Sequence, residues 1–257
     1  GSVVGGYIRD KDTCVPAILV AELASRLKKE GLTLGQYLDN LYEENGFYQN
    51  YLTEIRLPGA EGMSKMNLIQ EAIRNNPPDF FGNFEIETIS DYWKGEPFKS
   101  ETDKVSRNVL KITFKPIDKI KYMHVVIRPS GTEPKTKFYF EIGLNPNSDT
   151  KLDDEKSLVA GVLQELEKAV IKYCYKVIGI DFPDRGFLLF WQLDAVNKML
   201  YFKIEPQIEE IKKIEDKQLR KEKLNELLSF LGSDPIRKVD KAFKAKYGVG
   251  IESFLEL

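Results

Sequence analysis

The chain has 257 residues, of which 38 are Lys or Arg and 40 are Asp or Glu, for a formal net charge of -2. That balance excludes bulk electrostatic attraction to nucleic acid or to a membrane surface, and the length suffices for one or two cores. Cys14 and Cys174 are two isolated cysteines without metal-ligand spacing, a usage that argues against a disulfide framework and suits a reducing, cytoplasmic setting.

Pro16 suits the first turn of a helix, and Leu19, Val20, Leu23 and Leu27 follow at helical spacing up to Gly31. Thr33 and Gln36 form a capping-box pattern for a second helix with apolar face Leu34, Tyr37, Leu38 and Leu41, stopped by Gly46. Residues 1–46 therefore read as the helical tail of an α/β domain. A new unit opens near Phe47, with a strand over Tyr51–Leu57 halted by Pro58-Gly59. A helical stripe of Met63, Met66, Ile69 and Ile73 comes next.

A strand near Phe84–Ile89 precedes three segments of period two: Leu110/Ile112/Phe114, Met123/Val125/Ile127 and Phe138/Phe140/Ile142. They predict an antiparallel sheet of about four strands. His124, the single histidine, is expected to be exposed on the opposite side from Met123, Val125 and Ile127, with a structural or idle role. A long helix carries Val159, Val162, Leu163, Leu166, Val170 and Tyr173 on one face. Beyond it, Leu189, Leu193, Val196 and Leu200 repeat at helical spacing, as do Ile208, Ile211, Leu224, Leu227, Leu228 and Leu231 up to Gly232. Asp234-Pro235 starts another helix. Lys203 to Lys223 holds seven basic and six acidic residues, a solvated helix face. The apolar run Phe187 to Phe202, interrupted by Gln192, Asp194, Asn197 and Lys198, is too short and polar to span a bilayer.

One turn concentrates chemistry. Arg128-Pro129-Ser130-Gly131-Thr132-Glu133-Pro134-Lys135 follows an apolar strand with a guanidinium, two hydroxyls, a glycine and a lysine. Gly131 permits close approach and backbone conformations closed to other residues. The neighbouring amides suit an anion-binding nest, Ser130 and Thr132 offer hydroxyl donors, and Arg128 offers a two-point fork for phosphate oxygens.

This string resembles the C-terminal phosphate-binding loop of the α-D-phosphohexomutases, the phosphoglucomutase/phosphomannomutase superfamily. A second segment, Arg9-Asp10-Lys11-Asp12, resembles the R-x-K-D that closes the family's sugar-binding region, and the resemblance covers roughly residues 3–178. It implies an α+β fold. Residues 1–46 would be the tail of the third, α/β domain. Residues 47–178 would be a TATA-box-binding-protein-like domain with an antiparallel sheet and two helices. Residues 179–257 would be a helical extension, packed against the body or serving dimerisation.

The family's T-x-S-H-N, D-G-D-x-D-R and E-E-S-G segments do not occur in these residues. The chain opens on Gly1-Ser2, where E-E-S-G would just have ended, and is expected to be the back half of a mutase without its nucleophile, inactive alone. The resemblance implies that Arg128, Ser130, Gly131 and Thr132 hold the non-reacting phosphate of a phosphosugar, with Lys137 as a point charge where the family often has arginine. Lys135 either approaches the phosphate or lies on the rim, and Glu133 orients a neighbouring group. Lys11 is the candidate acid/base for a sugar hydroxyl. Asp91-Tyr92, beside Trp93-Lys94-Gly95, caps or packs. Further implications are Mg²⁺ bound by residues outside this chain, and a glucose 1,6-bisphosphate-type activator. No nucleic acid or membrane partner is expected, and oligomeric state and sugar identity stay open. The alternative is a non-catalytic phosphosugar- or phosphate-binding module.

Overall fold

A computed structural model describes residues 13–57, 59, 61–146, 150–189 and 193–257. In chain order the elements are α1 (Cys14–Lys29), α2 (Leu34–Asn45), β1 (Tyr48–Arg56), α3 (Gly62–Asn75), β2 (Phe80–Phe81), β3 (Phe84–Asp91), α4 (Glu101–Ser106), β4 (Leu110–Phe114), β5 (Ile120–Pro129), β6 (Lys135–Leu144) and α5 (Leu152–Val177). A 3₁₀ turn at Asp184–Leu188 leads to α6 (Ala195–Ile204), α7 (Pro206–Lys212), α8 (Lys217–Leu227), a second 3₁₀ turn at Ser229–Leu231, α9 (Pro235–Tyr247) and α10 (Ile251–Leu255).

The fold is α+β, built on one sheet in the order β1-β6-β5-β4-β3-β2. The sheet has six strands where the periodicity predicts about four. The two additional members are the short β2, which pairs antiparallel with β3, and β1 at the opposite edge. Phe80-Phe81 is too short to show alternation. β1, from Tyr48 to Arg56, is the strand that the sequence marks over Tyr51–Leu57, there left outside the sheet. From β2 to β6 the chain is a meander, and antiparallel registers such as Ile112↔Val125 set the buried faces against each other. A register shift between Ile86 and Thr88 marks a bulge in β3.

The chain divides into two compact units. The first comprises the N-terminal residues up to Gln49, Pro116–Tyr122 and Glu141–Val162. Here the capping box forms as expected: Thr33 Oγ1 accepts from the Gln36 amide at 3.2 Å, and Gln36 Oε1 accepts from the Thr33 amide at 2.9 Å. Gly46 ends α2 at φ 94°, and a Cβ there would lie 2.1 Å from the Leu144 carbonyl oxygen, so this turn admits only glycine. Leu27 is buried, whereas Leu19, Val20, Leu34, Leu38 and Leu41 stay exposed on α1 and α2.

The second unit comprises Asn50–Lys115, Met123–Phe140 and Leu163–Leu257. Leu110, Ile112, Phe114, Met123, Val125, Ile127, Phe138 and Phe140 are all at most 2% exposed, as their period-two spacing predicts. Met66, Ile69 and Ile73 bury one face of α3, and Gln70 Nε2 donates to the Ile127 carbonyl at 3.1 Å. In α5, Leu163, Leu166, Val170 and Cys174 are buried, and Tyr173 meets Phe81 edge-on at 4.9 Å. His124 corrects the sequence expectation. It is buried, at 9% exposed, while Arg128 on the same face of β5 is exposed, so burial here is set by what packs over each position and not by alternation along the strand.

The C-terminal helices have a core of their own, including Tyr201, Ile208, Leu224, Leu228, Phe243, Ile251 and Leu255. Leu189 and Leu193 join that core without being helical, since α6 begins only at Ala195, capped by Asp194 Oδ1 on the Asn197 amide at 2.8 Å. The later stripe is likewise broken. Asp216 caps α8 through the Gln218 and Leu219 amides, and α8 ends at Leu227, before the 3₁₀ turn that Gly232 closes. Pro235 does start a helix. Arg185 forms a two-point ion pair with Glu205, which is 1% exposed and also accepts from the Tyr201 hydroxyl at 2.9 Å. The preceding residue, Asp184, pairs with Lys168 at 3.1 Å and with Lys172 on α5.

Candidate functional site

The turn between β5 and β6 is a strand-to-strand connection organised by one hydroxyl. Ser130 Oγ accepts from the Thr132 and Glu133 amides at 3.5 and 3.3 Å. The Ser130 amide donates to the Lys135 carbonyl at 2.8 Å, and the Lys135 amide to the Glu133 carbonyl at 2.7 Å. Pro129 and Pro134 have no amide hydrogen to place, which restricts the turn further. The Leu57 amide donates to the Pro134 carbonyl at 3.0 Å and ties the end of β1 to the turn.

Two expectations for this turn change. The amides of Thr132 and Glu133 turn towards Ser130 Oγ through long, weak contacts, and in this structure they do not form an open nest. The Ser130 hydroxyl hydrogen remains available for an acceptor, since Oγ serves the amides through its lone pairs. Gly131 does not occupy the left-handed region. A Cβ at this position would lie 2.9 Å from Val105 Cγ1, so a side chain here would displace Val105 or the turn.

Strand geometry supplies the rest. Along β6, Thr136, Phe138 and Phe140 are buried, and Lys135, Lys137 and Tyr139 alternate onto the opposite face. Arg128 is exposed between buried Ile127 and Pro129. A cavity of about 250 Å³ is lined by Arg128, Ser130, Gly131, Thr132, Lys135 and Lys137, together with Glu133, Tyr139 and Val105 of α4. It brings together every residue anticipated for phosphate, and it is small beside the roughly 300–1,000 Å³ of drug-sized pockets, a scale suited to a compact anion and its first attached atoms.

Three cations and one carboxylate line this space. Glu133 is ion-paired with Lys135. The hydrogen bond from Lys135 holds the Glu133 carboxyl below the usual carboxylate range, with the charges of Lys135, Arg56 and Lys137 acting in the same direction. Arg56 itself pairs with Glu54 at 2.7 Å. Among the described residues, no carboxylate lies within ion-pair distance of Arg128 or Lys137, so the cavity has an excess of positive charge. Sequence reasoning missed Val105, Tyr139 and Arg56. The period-two alternation from Lys135 would have found Tyr139, but no sequence signal places Val105 or Arg56 here.

Asp91 packs and caps, as anticipated. It pairs with Arg74 at 3.1 Å, and its Oδ1 accepts from the Trp93 amide at 3.1 Å. Lys11, with Arg9, Asp10 and Asp12, lies outside the described residues. Among the described residues no group of three or more His, Cys, Asp or Glu side chains is placed to hold a metal ion. Among the same residues no helix is long and apolar enough to cross a membrane.

No protein-family profile matches the chain. Over 149 residues it is 33% identical to a phosphoglucomutase of Staphylococcus aureus (strain bovine RF122 / ET3-1), covering 56% of this chain and 26% of the relative. The identity and coverage are the same for the phosphoglucomutase of strain USA300. With that of strain MRSA252 it is 32% over 142 residues, covering 53% of this chain and 25% of the relative. The chain thus spans about a quarter of the length of the curated relatives it matches.

Proposed function

We propose that the chain, similar over about half its length to phosphoglucomutases, is part of a phosphohexomutase-type protein, and that its β5–β6 turn is the clamp for the non-reacting phosphate of a phosphosugar. The observation that carries this reading is the single cavity in which Arg128, Ser130, Gly131, Thr132, Lys135 and Lys137 converge. Interconversion of a sugar 1-phosphate and 6-phosphate requires one phosphate to be gripped while the other end of the sugar reacts, in both substrate orientations. A clamp of hydroxyls and cations meets that need, since it grips a tetrahedral dianion and leaves the attached sugar unspecified.

Arg128 supplies the two-point contact, Lys137 a point charge, and the Ser130 and Thr132 hydroxyls donate. Lys135 is shared with Glu133 and joins when the anion arrives. Lys11 remains the candidate acid/base. In a complete cytoplasmic mutase the phosphoserine, Mg²⁺ and activator would be held by other residues, so the chain alone binds without turning over. The test is calorimetric titration of the chain with glucose 1-phosphate, repeated on Arg128→Ala, alongside an assay for glucose 6-phosphate formation. Saturable binding that Arg128→Ala weakens, without turnover, supports the reading. Undiminished binding by the folded variant removes Arg128 from the site, and turnover by the chain overturns the assignment of chemistry to other residues.

A further inference from the structure

The connection between β3 and β4, residues 92–109, is long for two antiparallel neighbours, and loops of this length without a strand or long helix are usually functional. Its internal bonding is dense. At its neck, Arg74 Nη2 donates to Asn108 Oδ1 at 2.7 Å, Arg74 pairs with Asp91, and the Tyr92 amide donates to the Val109 carbonyl at 3.1 Å. Inside it, the Arg107 guanidinium donates to three carbonyls, those of Tyr92 at 3.0 Å, Glu96 at 2.6 Å and Lys94 at 3.3 Å. The same guanidinium stands 4.7 Å above the Phe98 ring, which meets Trp93 edge-on. A loop whose only task is to join two strands does not need so many internal restraints.

These restraints bear on one contact. Arg107 caps the end of α4, and α4 places Val105, which is 47% exposed, on the wall of the clamp cavity. Val105 Cγ1 occupies the space beside Gly131 that a Cβ would need. Resting on the phosphate-clamp reading above, we propose that residues 92–109 are the second wall of the anion site, with Val105 and Arg107 as positioning residues. Val105 confines Gly131 and thereby the hydroxyl donors of Ser130 and Thr132 on either side of it. Arg107 acts one step back by holding α4. The wall is apolar at the point of contact, so it screens one side of the bound anion from water without adding a donor.

The experiment titrates inorganic phosphate into the full chain, following amide signals by NMR, with thermal midpoints measured for each variant. Gly131→Ala is expected to weaken phosphate binding about tenfold, because small misplacements of a binding group are costly. Gly131→Ala combined with Val105→Ala is expected to recover to within about threefold of the wild type, since the second change removes the clash. Arg107→Lys keeps the charge, loses the fork, and is expected to weaken binding about threefold at a temperature where the variant is fully folded, whatever the change in thermal midpoint. A purely structural role for Arg107 would instead lower the midpoint and leave the affinity of the folded chain alone.

A double variant no better than Gly131→Ala overturns the proposal, and so does Arg107→Lys binding phosphate like the wild type. If Gly131→Ala does not fold, Arg107→Lys decides. Failure of the wild-type chain to bind phosphate sinks the clamp reading and this wall with it. Wild-type binding without the coupling leaves the clamp standing and removes only the wall.

Discussion

Glu133 and Lys135 pair with each other inside the turn that also carries Arg128, so one of the three cavity cations is shared with an anion before any ligand arrives. An incoming dianion must compete with Glu133 for that ammonium. Glu133→Gln is therefore expected to tighten phosphate binding, by about two- to fivefold for an exposed pair. The pH dependence has a definite sign. The Glu133 pKa is lowered, so the pair's contribution to stability is present above the ordinary carboxylate value and lost as pH falls through the lowered one. Acid unfolding of Glu133→Gln should lack that component. Equal affinity and an unchanged acid limb would show that Lys135 is already committed to the cavity.

Arg128 has no carboxylate within ion-pair distance among the described residues, and its loss should be felt fully by the ligand. Arg128→Ala is expected to weaken glucose 1-phosphate binding by about 1.5–3 kcal/mol, the range for a charged hydrogen bond. Lys137→Arg should be tolerated or bind more tightly, because a planar fork replaces a point charge. Calorimetry on both variants checks the pair of outcomes, and a severe loss in Lys137→Arg would mean the cavity has no room for the larger group.

The C-terminal helices offer a stability test remote from the clamp. Glu205 is almost wholly buried and holds Arg185 and the Tyr201 hydroxyl together. Glu205→Ala strands a partly buried guanidinium and is expected to cost about 3–5 kcal/mol in denaturant unfolding. Arg185→Met with Glu205→Gln should cost far less, since no buried charge is left unpaired and an amide oxygen still accepts from the Tyr201 hydroxyl. Phosphate affinity should not change in either variant.

Gly46 is expected to tolerate no side chain. Gly46→Ala must adopt a left-handed conformation and push against the Leu144 carbonyl, a larger burden than the usual exposed substitution of about 0.5 kcal/mol. Thr33→Ala, by contrast, should cost about 1 kcal/mol through loss of the cap. Hydrogen exchange of the α2 amides distinguishes the two: Thr33→Ala accelerates the first turn, and Gly46→Ala the C-terminal end.

Local rules were readable wherever chemistry is local. The Thr33/Gln36 box, the Gly46 stop and the period-two strands depend on residues a few positions apart, and all formed. The cavity-lining residues of the β5–β6 turn were readable for the same reason, being contiguous or on one strand face. What escaped depends on distant partners. His124 is buried and Arg128 exposed on one face of β5, a difference set by what packs over each position, which no spacing records. The Arg107 restraints end on backbone carbonyls, which every residue has and no residue type advertises. Leu189 and Leu193 kept their burial but not their helix, since Asp194 is a better cap than an interior residue and starts α6 after them.

The turn closed by Ser130 and Lys135 also sets an order of events in folding. Every donor and cation proposed for the clamp lies on one hairpin, and hairpins of this kind close within about 1–10 microseconds once their strands meet. Val105 arrives by a different route, because it is placed only when β3, β4 and the neck at Arg74 have found one another across a wider stretch of chain. A nascent or partly unfolded chain would then display the charged half of the cavity before its apolar wall, and phosphate added during refolding would meet a site that attracts it but does not yet confine it.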